Sequence, residues 1–238
     1  MEDDKMSRVL LKLSGEALAA GSNGEIYNTA FVDEVAAALK SCLDQGHEVA
    51  VVVGAGNIWR GRSGGEMDRV DADRMGMLAT VINAICLKDA IIRAGADAVV
   101  MTSVPMAPFA LPYSSDEAKK ALSAGKIVVF GAGLGIPFLS TDTTGAVRAA
   151  EIEADAILMA KNVDYIYTDD PRTNPDAKPL KNIKASEVLA RNLKAMDATA
   201  TAFCLSVGMP VKVFGLAKAE DILRAVSGEH VGTVISAE

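Results

Sequence analysis

Six short apolar runs recur along this chain, and they constrain its fold more than any other feature of the sequence. They lie at residues 9–13, 49–53, 97–101, 127–130, 156–159 and 211–214. Mostly apolar runs without strict polar alternation are typical of strands that are buried on both faces. Helical stretches separate them, at residues 29–45, 73–94 and 197–207. Strands and helices in alternation predict a mainly parallel sheet that is covered by helices on both sides.

The length of the chain favours one domain. Its 238 residues, half of them hydrophobic, are enough for one large core. We therefore expect a tail at residues 1–7 and a single α/β domain at residues 8–238. A loop-rich stretch at residues 168–184 contains three prolines among Asp and Asn, which indicates a surface excursion rather than a domain linker.

Composition excludes several classes of function. The net charge of −7 offers no basic surface for nucleic acid. Cys42, Cys86 and Cys204 lie far apart and the chain has only two histidines, which argues against a zinc site and a disulfide framework. The N-terminus is charged and has no apolar segment behind it, and no continuous apolar run reaches about 18 residues. We expect a cytoplasmic protein without a membrane anchor.

Glycines follow three of the predicted strands. The first strand leads into Ser14-Gly15, the second into Gly54-Ala55-Gly56, and the fourth into "GAGLGIPFLSTDTTGA" at residues 131–146. Parallel strands place such turns at one edge of the sheet, where glycine lets backbone amides approach an anion closely. Each cluster alone could be a tight turn without a ligand. Three clusters at one edge predict a phosphate-binding site.

The two common phosphate-binding motifs are absent from the sequence. No G-x-x-x-x-G-K-[ST] string occurs anywhere in the chain. The turns at Gly54 and Gly133 also fail the G-x-G-x-x-G pattern, because Trp59 and Phe138 follow where that motif continues with glycine. The sequence therefore disfavours both the P-loop fold and the dinucleotide-binding fold.

Three charged residues near these turns, Lys12, Arg60 and Asp142, are candidates for contact with a phosphate or its counter-charge, and Asp197 stands at the start of a later predicted helix. Lys12 emerges from an apolar strand beside Ser14-Gly15, where its ammonium group could meet a phosphate; the alternative is a surface lysine. Arg60 follows the second glycine turn and could instead be a helix-surface arginine. Asp142 and Asp197 stand at predicted helix starts, so each could be an N-cap, a functional carboxylate or both.

Five segments together resemble the bacterial uridylate kinases of the amino acid kinase superfamily. The resemblance runs from about Arg8 to Ile235 and rests on "LLKLSGEAL" (10–18), "VVVGAGNIWRG" (51–61), "DADRMGMLATVINA" (71–84), "GLGIPFLSTDTTGAVRAAEIEADAILMAKNVD" (133–164) and "YTDDP" (167–171). It implies a three-layer α/β/α sandwich, cytoplasmic and homohexameric. It also implies transfer of the γ-phosphoryl group of Mg-ATP to UMP, with GTP as activator and UTP as inhibitor. Lys88 and Arg93 are candidates for that effector site.

The resemblance also implies roles for individual residues. It implies catalytic roles for Lys12, Arg60, Asp142 and Asp197. It implies ATP contacts for Lys12, Leu13, Ser14, Gly15, Gly56, Arg60, Lys161, Asn162, Tyr167 and Asp170. It implies UMP contacts for Ala55, Asp73, Leu134, Gly135, Ile136, Pro137, Phe138, Leu139, Ser140 and Thr141. Mg²⁺ is then held mainly by the ATP phosphates, and the sequence leaves open whether Lys161 or Asn162 fills the first position of the adenine wall.

Three positions depart from the family pattern, and two other functions stay open. Ala55 replaces a glycine and fits only with a negative φ, Ile136 replaces a polar residue, and Tyr165 replaces a glycine before the adenine wall. A non-enzymatic relative of this fold stores molybdate or tungstate, and other amino acid kinases act on a carboxylate or carbamate. The charged candidates favour an enzyme, and Asp73 with the hydroxyls of Ser140 and Thr141 favours a nucleotide substrate.

Overall fold

The computed structural model describes residues 7–59, 65–169, 171, 173–193, 195–229 and 231–237. Its strands are β1 (Arg8–Leu13), β2 (Glu48–Val53), β3 (Ala98–Thr102), β4 (Leu111–Pro112), β5 (Ile127–Gly131), β6 (Ala156–Lys161), β7 (Ile166–Tyr167), β8 (Pro179–Leu180), β9 (Asn182–Lys184), β10 (Val211–Gly215) and β11 (Thr233–Ser236). Its helices are α1 (Gly15–Leu18), α2 (Thr29–Asp44), α3 (Arg69–Arg93), α4 (Ser115–Ser123), α5 (Thr141–Glu151), α6 (Ala185–Ala190), α7 (Ala198–Val207) and α8 (Glu220–Val226).

Within these residues nine strands form one sheet, in the order β4-β3-β5-β2-β1-β6-β10-β11-β9. All neighbouring pairs run parallel except β10 and β11. The six predicted strands are six consecutive members of this sheet, from β3 to β10. Strands β7 and β8 form a separate antiparallel pair.

Helices cover both faces of the sheet, as the sequence predicts. Buried side chains of α2, α3 and α8 pack in one cluster, and those of α4, α5, α6 and α7 pack in another. Strand β1 alternates between them: Val9, Leu11 and Leu13 belong to the first cluster and Leu10 to the second. Lys12 lies on the face of Leu10, because successive side chains of a strand point to opposite faces. The predicted α/β/α layering is confirmed.

Some element boundaries differ from the prediction. Helix α3 begins at Arg69 rather than near residue 73, because Asp68 caps it by accepting bonds from the backbone N–H groups of Val70 and Asp71. The stretch at residues 168–184 contains β8 and β9, which the sequence did not predict. The division into a tail and one domain stays a prediction, since residues 1–6 lie outside the described residues.

Helix α3 is also long and apolar enough to cross a membrane, judged by length and composition alone. Its buried residues, including Ala84, Leu87 and Ile91, pack in the core against the sheet and α2. Because buried core helices meet the same criteria of length and composition as membrane-spanning helices, this match is only weak evidence for a membrane span.

Candidate active site

The three glycine turns meet at the carboxyl ends of β1, β2 and β5, which lie side by side in the sheet. The turn after β1 touches the turn after β2. A Cβ atom on Gly15 would lie 2.7 Å from the carbonyl oxygen of Gly54 and 2.8 Å from the backbone nitrogen of Gly56. Only a residue without a side chain fits there, so Gly15 is required by close approach of two backbones.

A network of polar side chains centred on the buried Asn83 holds the turn after β2. Asn83 of α3 donates to the Gly54 carbonyl at 2.7 Å and to Oδ1 of Asn57 at 2.8 Å. Tyr27 in turn donates its hydroxyl to Asn83 at 2.8 Å. Because each buried polar group has a partner, the turn is fixed in one position. Apart from the asparagines themselves, nothing in the sequence signals this network.

An open cleft of about 600 Å³ lies above these turns. Its lining includes the predicted residues Lys12, Ala55, Gly56, Asp73, Leu134, Ile136, Phe138, Leu139, Ser140, Thr141, Asp142, Lys161 and Asp197. The lining does not include seven other predicted residues: Leu13, Ser14, Gly15, Gly135, Pro137, Asn162 and Tyr167. Arg60 and Asp170 lie outside the described residues.

A carboxylate between two lysines lies in the cleft. Nζ of Lys12 is 2.7 Å from Oδ1 of Asp142, and Nζ of Lys161 is 3.4 Å from Oδ2. Burial alone would raise the pKa of the Asp142 carboxyl, but the two ammonium groups outweigh burial and hold the pKa below its ordinary value. Burial lowers the pKa of Lys161, and Asp142 opposes that shift only in part. Asp142 therefore stays ionised and orients both cations.

The N-cap of α5 is Ser140 and not Asp142. Oγ of Ser140 accepts from the backbone N–H groups of Asp142 at 3.0 Å and Thr143 at 3.1 Å. The capping alternative for Asp142 is wrong because the helix begins at Thr141, two residues earlier than a cap at Asp142 requires. The Asp142 carboxylate therefore does not cap the helix and pairs with the two lysines instead.

Asp197 does cap its helix, and it also reaches α5. One of its oxygens accepts from the backbone N–H of Ala200 at 2.9 Å. The carboxylate also accepts from the hydroxyls of Ser140 and Thr143. Asp197 therefore ties the start of α7 to the start of α5 beside the lysine cluster.

The segment after β5 follows an unusual backbone path. Ala132, Gly133, Gly135 and Phe138 all have positive φ, at 62°, 55°, 79° and 70°. Asp73 of α3 fixes the far end, because its Oδ2 accepts from the backbone N–H of Phe138 at 2.8 Å and from Nε of Arg69 at 2.9 Å. The guanidinium of Arg69 also lies 5.4 Å from the centre of the Phe138 ring. Asp73 thus anchors the segment predicted to surround a nucleotide.

The three departures from the family pattern have different structural consequences. Ala55 is not among the described non-glycine residues with positive φ, so alanine fits its turn without strain. Ile136 lines the cleft with an exposed apolar side chain. The ring of Tyr165 packs edge-on against Tyr167, with centroids 6.5 Å apart. Of the two residues left open for the adenine wall, Lys161 lines the cleft and Asn162 is exposed.

Sequence reasoning missed several residues of the cleft: Trp59, Arg69, Gly76, Met77, Thr80, Gly133, Thr144 and Met196. Helical spacing could have found part of this set. Arg69, Asp73, Gly76 and Thr80 recur every three or four residues, so they lie on one face of α3. Once Asp73 was assigned, its helical neighbours were candidates as well.

The described residues contain no cluster of three or more His, Cys, Asp or Glu side chains that could hold a metal ion. The acidic groups that line the cleft are already paired: Asp73 with Arg69 and the Phe138 amide, Asp142 with two lysines, and Asp197 with two hydroxyls and an amide. Mg²⁺ often binds through substrate phosphates and water, with few protein ligands. The site fits a metal that arrives with its nucleotide.

The chain is similar to known proteins in both sequence and overall structure. The sequence model of the amino acid kinase family matches residues 7–215. A UMP kinase from Bacillus anthracis is 38% identical, with 98% of this chain and 97% of that chain covered and a TM-score of 0.93. One from Ureaplasma parvum is 34% identical over 97% and 99%, with a TM-score of 0.91. A uridylate kinase from Archaeoglobus fulgidus is 27% identical over 95% and 99%, with a TM-score of 0.73.

Proposed function

The chain belongs to the amino acid kinase family and to its UMP kinase branch, and from that premise we propose that it transfers the γ-phosphoryl group of ATP to UMP, giving UDP and ADP. The observation that carries the proposal is the pairing of Asp142 with both Lys12 and Lys161 in the cleft, within reach of the glycine turns. Cations and backbone amides around an open cleft suit phosphoryl transfer, which needs positioning and charge stabilisation more than covalent chemistry.

The reaction needs no general base. An ionised phosphate oxygen of UMP attacks the γ-phosphorus of ATP, a new P–O bond forms, and the bond to the β-bridging oxygen breaks as ADP leaves. Lys12 and Lys161 place positive charge where charge accumulates on the equatorial oxygens. Asp142 holds both ammonium groups in position, and the amides near Gly15 and Gly56 bind phosphate oxygens.

The two substrates occupy different sides of the cleft in this proposal. UMP lies against α3 and the segment after β5, with the carboxylate of Asp73 accepting from ribose hydroxyls. ATP lies toward Ser14, Gly15 and the end of β6. Lys161 then contacts phosphate rather than adenine, because its ammonium group is held at Asp142. The roles of Arg60 and Asp170 stay predictions.

Mg²⁺ belongs to the proposal as a companion of ATP. It would be bound mainly by the ATP phosphates, and Asp142 and Asp197 are the acidic groups that would help to orient the metal-nucleotide. The chemistry that it supplies when bound is neutralisation of charge on the β- and γ-phosphates. The protein's own contribution is to hold the phosphates in one arrangement through Lys12 and the backbone amides of the glycine turns.

We further propose that the chain assembles as a homohexamer, with GTP as activator and UTP as inhibitor. Exposed apolar side chains of α3 support assembly: Met75, Leu78, Ile82 and Ile85 form a stripe at helical spacing. The two candidates for the effector site have different surroundings on α3. Arg93 forms ion pairs with Asp33 and Asp89, and Lys88 is half-buried. A cytoplasmic location stays a prediction.

The decisive experiment is a coupled assay of ADP release with purified protein, ATP, Mg²⁺ and one phosphoryl acceptor at a time. We expect turnover with UMP and little with CMP, AMP, GMP, aspartate, acetylglutamate or carbamate. Turnover with a carboxylate or carbamate instead would assign the chain to another amino acid kinase activity. Nucleotide binding without any turnover would indicate a storage or regulatory protein.

A further inference from the structure

A buried arginine lies outside the cleft lining and has no part in the proposed mechanism. The Arg148 side chain, on α5, is only 6% exposed. Its guanidinium lies 3.5 Å from the centre of the Tyr113 ring and pairs with Glu151, which also accepts from the Tyr113 hydroxyl at 2.7 Å. Burying a guanidinium is costly unless it is paired and hydrogen-bonded. The pairing with Glu151 and Tyr113 leaves one contact of Arg148 that points toward the cleft.

That contact is Ser103, in the loop after β3. Nη2 of Arg148 donates to Oγ of Ser103 at 2.8 Å, and Oγ of Ser103 donates to the carbonyl oxygen of Gly133 at 2.6 Å. The arginine occupies the acceptor side of the hydroxyl, so the hydroxyl proton is directed to Gly133. A buried charge therefore fixes the orientation of one carbonyl at the wall of the cleft.

The turn that contains Gly133 rests on Ser103 at a second point. A Cβ atom on Gly135 would lie 3.1 Å from Cβ of Ser103, so the two backbones are closely packed. Just before the turn, Thr80 accepts from the backbone N–H of Ala132 at 2.9 Å. Left-handed residues on both sides of Gly133 make this path one that surrounding groups must hold. Ser103 contacts Gly133 and Gly135, the residues on either side of Leu134, which lines the cleft.

We propose that Ser103 and Arg148 are positioning residues for recognition of the nucleobase. They fix the Gly133 carbonyl, and through it the backbone groups of residues 133–136 that face the base. This proposal rests on the proposed function, since it takes the base to be that of UMP. Discrimination between bases by hydrogen bonds depends on well-placed partners. A shift of this turn should therefore lower the selectivity for UMP while the protein stays folded.

The test measures nucleotide binding directly, through the fluorescence of Trp59. This residue is the only tryptophan of the chain and it lines the cleft. The variant Ser103→Ala deletes the hydroxyl, and Ser41→Ala is the matched control, because Ser41 donates to the Ala37 carbonyl at 3.0 Å on α2, away from the cleft. We expect the Kd for UMP to rise by about three- to tenfold in Ser103→Ala only. The Kd for ATP and the melting temperature should stay near wild-type values.

Selectivity and a second pair of variants complete the test. The ratio of the Kd values for CMP and UMP should fall in Ser103→Ala. Arg148→Met should reproduce this loss, and Arg148→Lys, which keeps a cationic donor, should restore part of it. If Arg148→Met does not fold, the Ser103 variant decides alone. A lowered melting temperature with unchanged UMP binding and selectivity would overturn the proposal. A wild-type protein that binds no UMP would instead overturn the proposed function.

Discussion

The ammonium nitrogen of Lys12 lies 2.7 Å from Oδ1 of Asp142, and the ammonium nitrogen of Lys161 lies 3.4 Å from the other oxygen of the same carboxylate. Strand β1, strand β6 and the first turn of α5 each supply one member of this group. Because β1 and β6 are neighbours in the sheet and α5 packs over them, the group depends on the fold and not on any local motif.

Replacement of Lys12 by alanine should abolish most turnover without unfolding the protein. A cation that meets transition-state charge is worth several kcal/mol, so we expect kcat to fall by about a hundredfold or more. Lys40→Ala is the control, because Lys40 is a partly exposed lysine that pairs with Asp44 on α2, away from the cleft. The measurement is steady-state ADP release together with thermal melting. A folded Lys12→Ala enzyme with near wild-type kcat would remove Lys12 from the mechanism.

The lowered pKa of Asp142 should appear as acid sensitivity of the fold. The ionised carboxylate is favoured in the folded protein, so it contributes stability that is fully present above the unfolded pKa near 3.8 and is lost as the pH falls through the lowered folded pKa. We expect Asp142→Asn to be less stable than wild type at about pH 7 in urea, and the difference to shrink below about pH 4. A difference that is constant across this range would contradict the assignment.

Asp73 should contribute to the binding of UMP and not to that of ATP. We expect Asp73→Asn to raise the KM for UMP by about tenfold or more, because hydrogen bonds to a charged acceptor are worth about 1.5 to 3 kcal/mol. The KM for ATP should stay within about twofold of wild type. Asp71→Asn is the matched control, since Asp71 lies in the same turn of α3 but is exposed and pairs with Arg74. A raised KM for ATP alone would show that the two nucleotide sites are reversed.

The central sheet could be predicted because its strands are apolar for four or more residues, whereas the edges could not. Strand β4, at one edge of the sheet, and strand β8, in the separate β7–β8 pair, are two residues long and contain Pro112 and Pro179, which signal turns rather than strands. Such strands form only because a neighbouring strand offers an unpaired edge. Lys12 was predictable for the opposite reason, since a charge inside a buried apolar run requires a partner.

Positions within the site were predictable only where a local pattern set them. The run Ser140-Thr141-Asp142-Thr143-Thr144 contains five capping-type residues, and nothing in the sequence says which one begins the helix. Arg148 was not predictable at all, because its contact Ser103 is 45 residues away and comes near only when α5 packs beside the loop after β3. Arg69 could have been found from its spacing with Asp73.

We expect the exposed apolar stripe on α3 to be buried at an interface between copies of the chain. The side chains of Leu78 and Ile82 are each 52% exposed although they are large and apolar. We expect light scattering to give the mass of six 24.8-kDa chains, and Leu78→Asp with Ile82→Asp to give a smaller species. Val207→Asp, at an exposed apolar position near the end of α7, should keep the assembly. A monomeric wild-type protein would contradict the hexamer.

The two hydroxyls at the start of α5 should have different roles: that of Ser140 caps the helix, and that of Thr141 contacts the nucleotide. Ser140 supplies the capping oxygen, so Ser140→Ala should lower the melting temperature through loss of about 1 kcal/mol. Thr141 lines the cleft without capping the helix, so Thr141→Val should leave the melting temperature nearly unchanged and raise the KM for UMP.

The same cleft should reject CMP in the wild-type enzyme. A buried site that bonds O4 and N3–H of uracil leaves its own groups mismatched against the amino group and bare N3 of cytosine, which can discriminate by about 10⁴-fold. The comparison of kcat/KM for UMP and CMP checks this. Values within about tenfold of each other would mean that residues 134–141 do not recognise the base by hydrogen bonds, whatever Thr141→Val shows, because an apolar wall alone can discriminate by about tenfold.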